Sequence, residues 1–268
     1  MCCIYIERVE TMAVYHFNYI SSEKRSKKIM KLFKERKFKE LIIVGFYFFR
    51  MKLIREVLLY SVFKMFNKEK SFMFEEEKYL YCIQPNTFFN ERMLEVPIFK
   101  KIIFKNKNKR VLEVGNVLSH YMSVKHDVLD KYEVFGTVIN SDVVDFTSKK
   151  KYDLIISIST LEHVGWDELP HEPLKVLRAI ENLKKLLKVN GLIIFSVPWN
   201  QNPTLDRLIH QKKLGMSKAF FFRRLNGNLW SETSFKCLKE SKYEFLIPRA
   251  NGVVIGIIEK KGGTKSKN

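Results

Sequence analysis

Apolar residues along this chain repeat in two ways, and the change from one to the other divides it. From Leu53 to Phe66, the residues Leu53, Ile54, Val57, Leu58, Val62, Met65 and Phe66 recur at three- and four-residue steps, with Lys52, Arg55, Glu56 and Lys64 between them. That spacing predicts an amphipathic helix. Just before it, Leu41 to Phe49 is the most apolar run of the chain, but Glu40 and Arg50 bound it at nine residues, where a membrane-spanning helix needs about 20. Between Glu75 and Ile103 the pattern loses regularity, and Asn90, Glu91, Arg92 and Glu95 sit as polar groups in apolar surroundings. From Arg110 onward short continuous runs take over: Val111 to Val114 closed by Gly115, His126 to Leu129 closed by Asp130, and then Tyr152 to Ile158 and Leu192 to Val197. Such runs predict strands buried on both faces, as in a parallel sheet. Leu174, Leu177, Ile180, Leu183, Leu186 and Leu187 give a helical face that Asn190 and Gly191 end. Tyr243 to Ile247 and Val253 to Glu259 flank an Asn251-Gly252 turn, which predicts an antiparallel hairpin at the sheet's edge.

Strands alternating with helices imply an α/β domain over residues 101–268, with a mixed basic insertion at 204–240 and a basic, mainly helical extension over 1–100. The net charge is +19. Lysine, isoleucine, phenylalanine and asparagine are abundant together throughout, as a compositional bias would make them, and no nucleic-acid reader motif accompanies the charge, so a nucleic-acid partner is not expected. Residues 1–70 hold 16 Lys and Arg against 7 Asp and Glu. Their amphipathic helix either packs on the body of the protein, the favoured reading, or makes peripheral contact with an anionic membrane surface. Four cysteines without a CxxC pair, scattered histidines, and a first stretch interrupted by Glu7, Arg8 and Glu10 predict a cytoplasmic protein without a structural metal.

Open α/β sheets bind ligands outside the carboxyl ends of their strands. Gly115 closes the first such strand, and Asp130 lies 17 residues beyond Glu113, near the distance at which an acid in nucleotide-binding folds accepts hydrogen bonds from ribose hydroxyls; Glu133 is the second choice. Asp142 or Asp145 could meet an adenine amino group or simply make a turn. Ser157, Ser159, Thr160 and His163 place small hydroxyls and an imidazole after the Tyr152 strand. Trp199, Asn200, Gln201 and Asn202 put an aromatic and three amides after the Leu192 strand. Arg92, beside Glu91 and Glu95, either lines a substrate pocket or forms surface ion pairs.

In order and spacing, LEVG at Leu112 to Gly115, the acid Asp130, YDLIIS at Tyr152 to Ser157, LEHV at Leu161 to Val164, LLKVNGLIIFSVP at Leu186 to Pro198 and the terminal strands resemble class I S-adenosylmethionine-dependent methyltransferases over about 150 residues. The resemblance implies a Rossmann-like, mostly parallel seven-stranded sheet with helices on both faces and an antiparallel last strand. It implies S-adenosyl-L-methionine as cofactor, with Glu113 and Gly115 near its methionine part, Asn116, Ser159 and Thr160 among its other contacts, Asp130 at its ribose, Asp142 near its adenine, and Ser159 to His163 between cofactor and substrate. The implied reaction is methylation of an oxygen or nitrogen on a small-molecule or glycan acceptor. His163 is then the candidate general base with His120 in reserve, and Arg92, Trp199 and Asn200 are the candidate substrate contacts. A basic pocket around Arg92, Arg223 and Arg224 would suit an anionic glycan. The family's first turn is usually glycine-rich, whereas Val117 and Ser119 occupy the second and third glycine places here; Asn116, Ser119 and His120 could compensate with hydrogen bonds. Two rival readings stand beside this one: an NAD-type sugar-modifying enzyme, disfavoured by the missing G-x-G-x-x-G, and a binding or scaffold protein that kept the fold and lost the ligand.

Overall fold

The structure is a computed structural model that describes residues 59–134, 136–244 and 249–262. The apolar run at 41–49 and the first six residues of the amphipathic stretch, 53–58, lie outside them. The described end of that stretch is helix α1 (Tyr60–Asn67), where Tyr60 and Phe63 meet the Phe88 ring while Val62, Met65 and Phe66 stay exposed. A two-stranded hairpin follows, β1 (Ser71–Phe74) and β2 (Glu77–Leu80). Its turn residues Glu75 and Glu76 both have positive φ, a backbone that Gly or Asn normally supplies, so the turn carries no signal in the sequence.

Helix α2 (Arg92–Lys105) and helix α3 (Lys175–Leu186) cover opposite faces of the main sheet. The division expected at residue 100 therefore falls inside α2. In β3 (Val111–Val114) and β6 (Tyr152–Ile158) alternate side chains belong to different layers: Leu112, Val114 and Ile155 lie with α3, and Val111, Leu154, Ile156 and Ile158 with α2. Burial of Val176, Ile180, Leu183 and Leu186 on α3 contributes about 1.5–3 kcal/mol each.

With β4 (Asp127–Asp130), β5 (Ile139–Asn140), β7 (Leu187–Pro198), β8 (Lys218–Arg224), β9 (Trp230–Thr233) and β10 (Gly252–Glu259), the sheet has the order β5-β4-β3-β6-β7-β10-β8-β9. Strands β5, β4, β3, β6 and β7 are parallel, and β10 runs antiparallel to both β7 and β8. Two expectations are corrected here. The last strand is not an edge hairpin but lies between β7 and β8, because Val253 to Ile258 are buried on both faces, a pattern that only an interior strand satisfies. The supposed insertion at 204–240 supplies helix α4 (Pro203–His210), β8, β9 and the short helix α5 (Phe235–Leu238), so the sheet has eight strands and not seven. Among the described residues no helix is long and apolar enough to cross a membrane.

Candidate active site

The chain leaves β3 toward β4 on one side and β6 toward β7 on the other, so the strand order reverses at β3 and opens a crevice at the strands' carboxyl ends. Gly115 stands at that point with φ +86°, and a Cβ there would collide with the Thr160 side chain. Glycine is required on both counts. The turn is held from below by Glu113, fully buried, whose Oε1 accepts from the Val117 N–H (2.9 Å) and the Leu118 N–H (2.8 Å) and whose Oε2 lies 2.7 Å from His126 Nε2. Val117 has φ −100° and packs into the α2 layer, and neither it nor Ser119 has positive φ. This turn therefore needs no second or third glycine for its backbone.

Asn116 follows, 4% exposed, with both side-chain amide atoms buried and without a hydrogen-bond partner among the described residues. Its N–H donates to Asp130 Oδ2 (3.1 Å), while Asp130 Oδ1 accepts from the Tyr132 and Glu133 N–H groups (2.8 Å each). Oδ2, with a single donor, keeps lone-pair capacity for another. His120 stands on the same side, its Nε2 3.3 Å from Glu133 Oε1. Asp142 is committed differently: Lys131 (2.8 Å) and Lys175 (2.6 Å) both meet its Oδ2. Burial opposes its charge, but these lysines hold the carboxyl down at about 2.

Across the crevice, Ser159 ends β6 at φ +38°, a backbone that side chains other than glycine rarely adopt. Two bonds hold it there: its N–H donates to Ser196 O (3.0 Å) and its Oγ to Glu95 Oε1 (2.6 Å). Thr160 donates back to Ile158 O (3.0 Å). Glu95 is fully buried and takes Arg92 Nη1 on its other oxygen at 2.6 Å, the Arg92 side chain being 19% exposed. The Arg92 pair is thus a buried element of the crevice wall and not a surface ion pair. Glu91 and Glu162 add their fields to that of Glu95 and raise the Arg92 pKa against the opposing cost of burial.

Glu162 is 1% exposed, and neither of its oxygens has a hydrogen-bond partner among the described residues. Burial pushes its carboxyl up to about 8. His163 Nε2 stands 3.6 Å from Glu162 Oε1 and 3.5 Å from Gln201 Nε2, and its Nδ1 lies 2.5 Å from Asp167 Oδ2. Burial disfavours the imidazolium, but Asp167 and Glu162 outweigh that, so the His163 pKa rises.

The loop after β7 divides its residues between support and site. Trp199 is buried edge-on against Phe235, ring centroids 5.5 Å apart, within the α3 layer. Asn200 donates its side-chain amide to Ser241 O (2.8 Å) and its N–H to Asp206 Oδ2 (3.0 Å). Asn202 caps α4 through the Thr204 and Leu205 N–H groups and donates to Glu162 O (2.8 Å). Gln201 is the amide of this loop that reaches His163. The expected basic pocket does not form. Arg224 is buried, donating to Ala250 O and stacking on Trp230, whereas Arg223 points the other way to Glu240, 3.8 Å distant. The sequence reading names Glu95, Glu162 and Gln201 only as members of polar groups and singles out none of them as a site residue. The available signal was polar residues inside apolar runs, Glu95 in α2 and Glu162 directly after β6.

No protein-family model matches the sequence, and no curated protein matches it. Solved structures with a similar fold include the N-methyltransferase NodS from Bradyrhizobium japonicum in complex with S-adenosyl-L-homocysteine (10% identity, TM-score 0.39, 64% of this chain and 91% of that one). They also include a SAM-dependent methyltransferase from Archaeoglobus fulgidus (14% identity, TM-score 0.38, 62% and 93%) and one from Thermotoga maritima (13% identity, TM-score 0.36, 61% and 95%). The fold rests on the strand order itself: five parallel strands reverse at β3 and the final strand is inserted antiparallel beside the fifth, the mostly parallel sheet with an antiparallel last strand expected from the sequence.

Proposed function

We propose that this protein is an S-adenosylmethionine-dependent methyltransferase acting on a small-molecule or glycan acceptor in the cytoplasm. The observation that carries the reading is the pairing, across the switch point of this sheet, of Gly115 at φ +86° with Asp130 at the end of the adjacent strand. Together they set a close backbone approach beside a ribose acceptor. The residues fit the cofactor: the orphaned Asn116 amide suits its methionine end and Asp130 its ribose hydroxyls. Asp142, clamped by two lysines, serves better as a rim support than as an adenine contact. When bound, the cofactor supplies an electrophilic methyl group. The chain's own part is then positioning: Ser159, held by Glu95 and Ser196, fixes the β6 end, and His163, oriented by Asp167, takes a proton from the acceptor.

The test is calorimetric titration with S-adenosylhomocysteine. Micromolar binding by the wild type, weakened about tenfold in Asp130→Asn, or about 1.4 kcal/mol, is expected. Absence of binding in the folded wild type would refute the reading and favour a scaffold that has kept only the fold.

A further inference from the structure

We infer that the acceptor carries a protonated amine and that Glu162 is the carboxylate that receives it; this rests on the methyltransferase reading above. The wall of the crevice beyond Ser159 is acidic. Glu91, Glu95 and Glu162 surround Arg92, whose Nη1 is already taken by Glu95. Glu162 is the member of this group left without a hydrogen bond, although it is 1% exposed.

A buried carboxyl in that condition is unsatisfied in either protonation state. Ionised, it has the His163 imidazole at 3.6 Å but no side-chain donor within hydrogen-bond reach; protonated, it has a hydroxyl with no acceptor among the described residues. The nearby groups complete it only in part. His163 Nε2 faces Glu162 Oε1 at 3.6 Å, ion-pair range but beyond a hydrogen bond, while Nδ1 is taken by Asp167, and Asn202 uses its amide on the Glu162 backbone carbonyl. The second orphaned group of the crevice, the Asn116 amide at 4% exposure, lies beyond Gly115 and Thr160, on the side assigned to the cofactor. Among the described residues no three His, Cys, Asp or Glu side chains are grouped to hold a metal ion, and an organic donor is the partner we assign to the carboxyl. An alkylammonium offers three N–H donors and the positive charge that a desolvated carboxylate needs. An anionic acceptor would find the Arg92 Nη1 already committed to Glu95 and would gain nothing from Glu162.

The upward shift of Glu162 gives the inference a readout independent of turnover. A cation seated on this carboxyl favours its ionised form, so binding near pH 7 releases a proton, and the observed heat then varies with the ionisation enthalpy of the buffer.

The experiment uses the full chain saturated with S-adenosylhomocysteine and matched probes: ethanolamine against ethylene glycol, glucosamine against glucose, and glucose 6-phosphate as the anion. Amine probes should stabilise the wild type against heat and bind with buffer-dependent heat, while neutral and anionic partners should not. In Glu162→Gln, amine binding should weaken at least tenfold and lose its proton release. Retained S-adenosylhomocysteine affinity in that variant reports an intact fold. Binding by neutral or anionic probes equal to that of the amines, amine binding unchanged in Glu162→Gln, or no response to any amine would overturn the inference. Failure of S-adenosylhomocysteine itself to bind would instead overturn the methyltransferase reading.

Discussion

Replacing Asp206 by an asparagine should stabilise this protein in a pH-dependent way. Asp206 is 7% exposed in the first turn of α4, where the Asn200 N–H at 3.0 Å and the helix N-terminus both favour its charge. Burial outweighs them and pushes its carboxyl from the usual 3.8 up to about 7. A folded-state pKa above the unfolded one means that between about pH 4 and pH 7 the unfolded chain binds fewer protons. Wild-type stability therefore falls as pH rises through that window and levels off above it. Three pKa units at 1.36 kcal/mol each set a ceiling of about 4 kcal/mol. The side-chain amide of the Asp206→Asn variant does not titrate but keeps an oxygen for the Asn200 N–H, so the gain over wild type should be about 1 kcal/mol at pH 4.5 and about 2–4 kcal/mol at pH 8. Urea unfolding of both proteins at the two pH values measures this, and subtracting wild type removes the parallel contributions of Glu95 and Glu162, which burial also raises. An equal gain at both pH values, or a loss at pH 8, would refute the reasoning.

Three other substitutions probe the crevice. Gly115→Ala meets both a positive φ and the Thr160 side chain, so unfolding experiments should show a loss of about 2–3 kcal/mol, partly recovered in the double variant with Thr160→Gly. Asn202→Ala removes the α4 cap and the donor to Glu162 O; about 2 kcal/mol should be lost in thermal unfolding, with Asn202→Ser, which keeps a capping oxygen, restoring about half. Glu113→Gln replaces the carboxylate that holds the Val117 and Leu118 N–H groups and His126. A loss of about 2–3 kcal/mol together with weaker S-adenosylhomocysteine binding is expected, and unchanged affinity would show that this turn does not position the cofactor.

The parallel half of the fold was legible because its strands are buried on both faces and so carry unbroken branched runs closed by Gly115, Asp130 and Ser159. The antiparallel half was not. Residues Lys218 to Arg224 mix aromatic and basic side chains because β8 packs its aromatics on the β1–β2 hairpin and on Phe235, partners that a local pattern cannot reveal. The Asn251-Gly252 signal was read as a hairpin tip, yet Gly252 already pairs with Arg223 in the sheet, where a Cβ would press on Leu238 and Trp199. Its glycine answers to packing and not to a turn.

The candidate site shows the same division between backbone and side-chain information. Gly115, Asp130, Ser159 and His163 could be placed at or just past strand ends from spacing alone. The acidic wall could not, since Glu95 comes from α2, which precedes the sheet in sequence, and meets Ser159 only after that helix folds across the α2 face. The two missing glycines likewise changed meaning once the backbone was visible. Val117 at φ −100° turns its side chain into the α2 layer and leaves its N–H on Glu113. The turn without those two glycines is held from beneath by the buried Glu113 carboxylate, which accepts from the Val117 and Leu118 N–H groups.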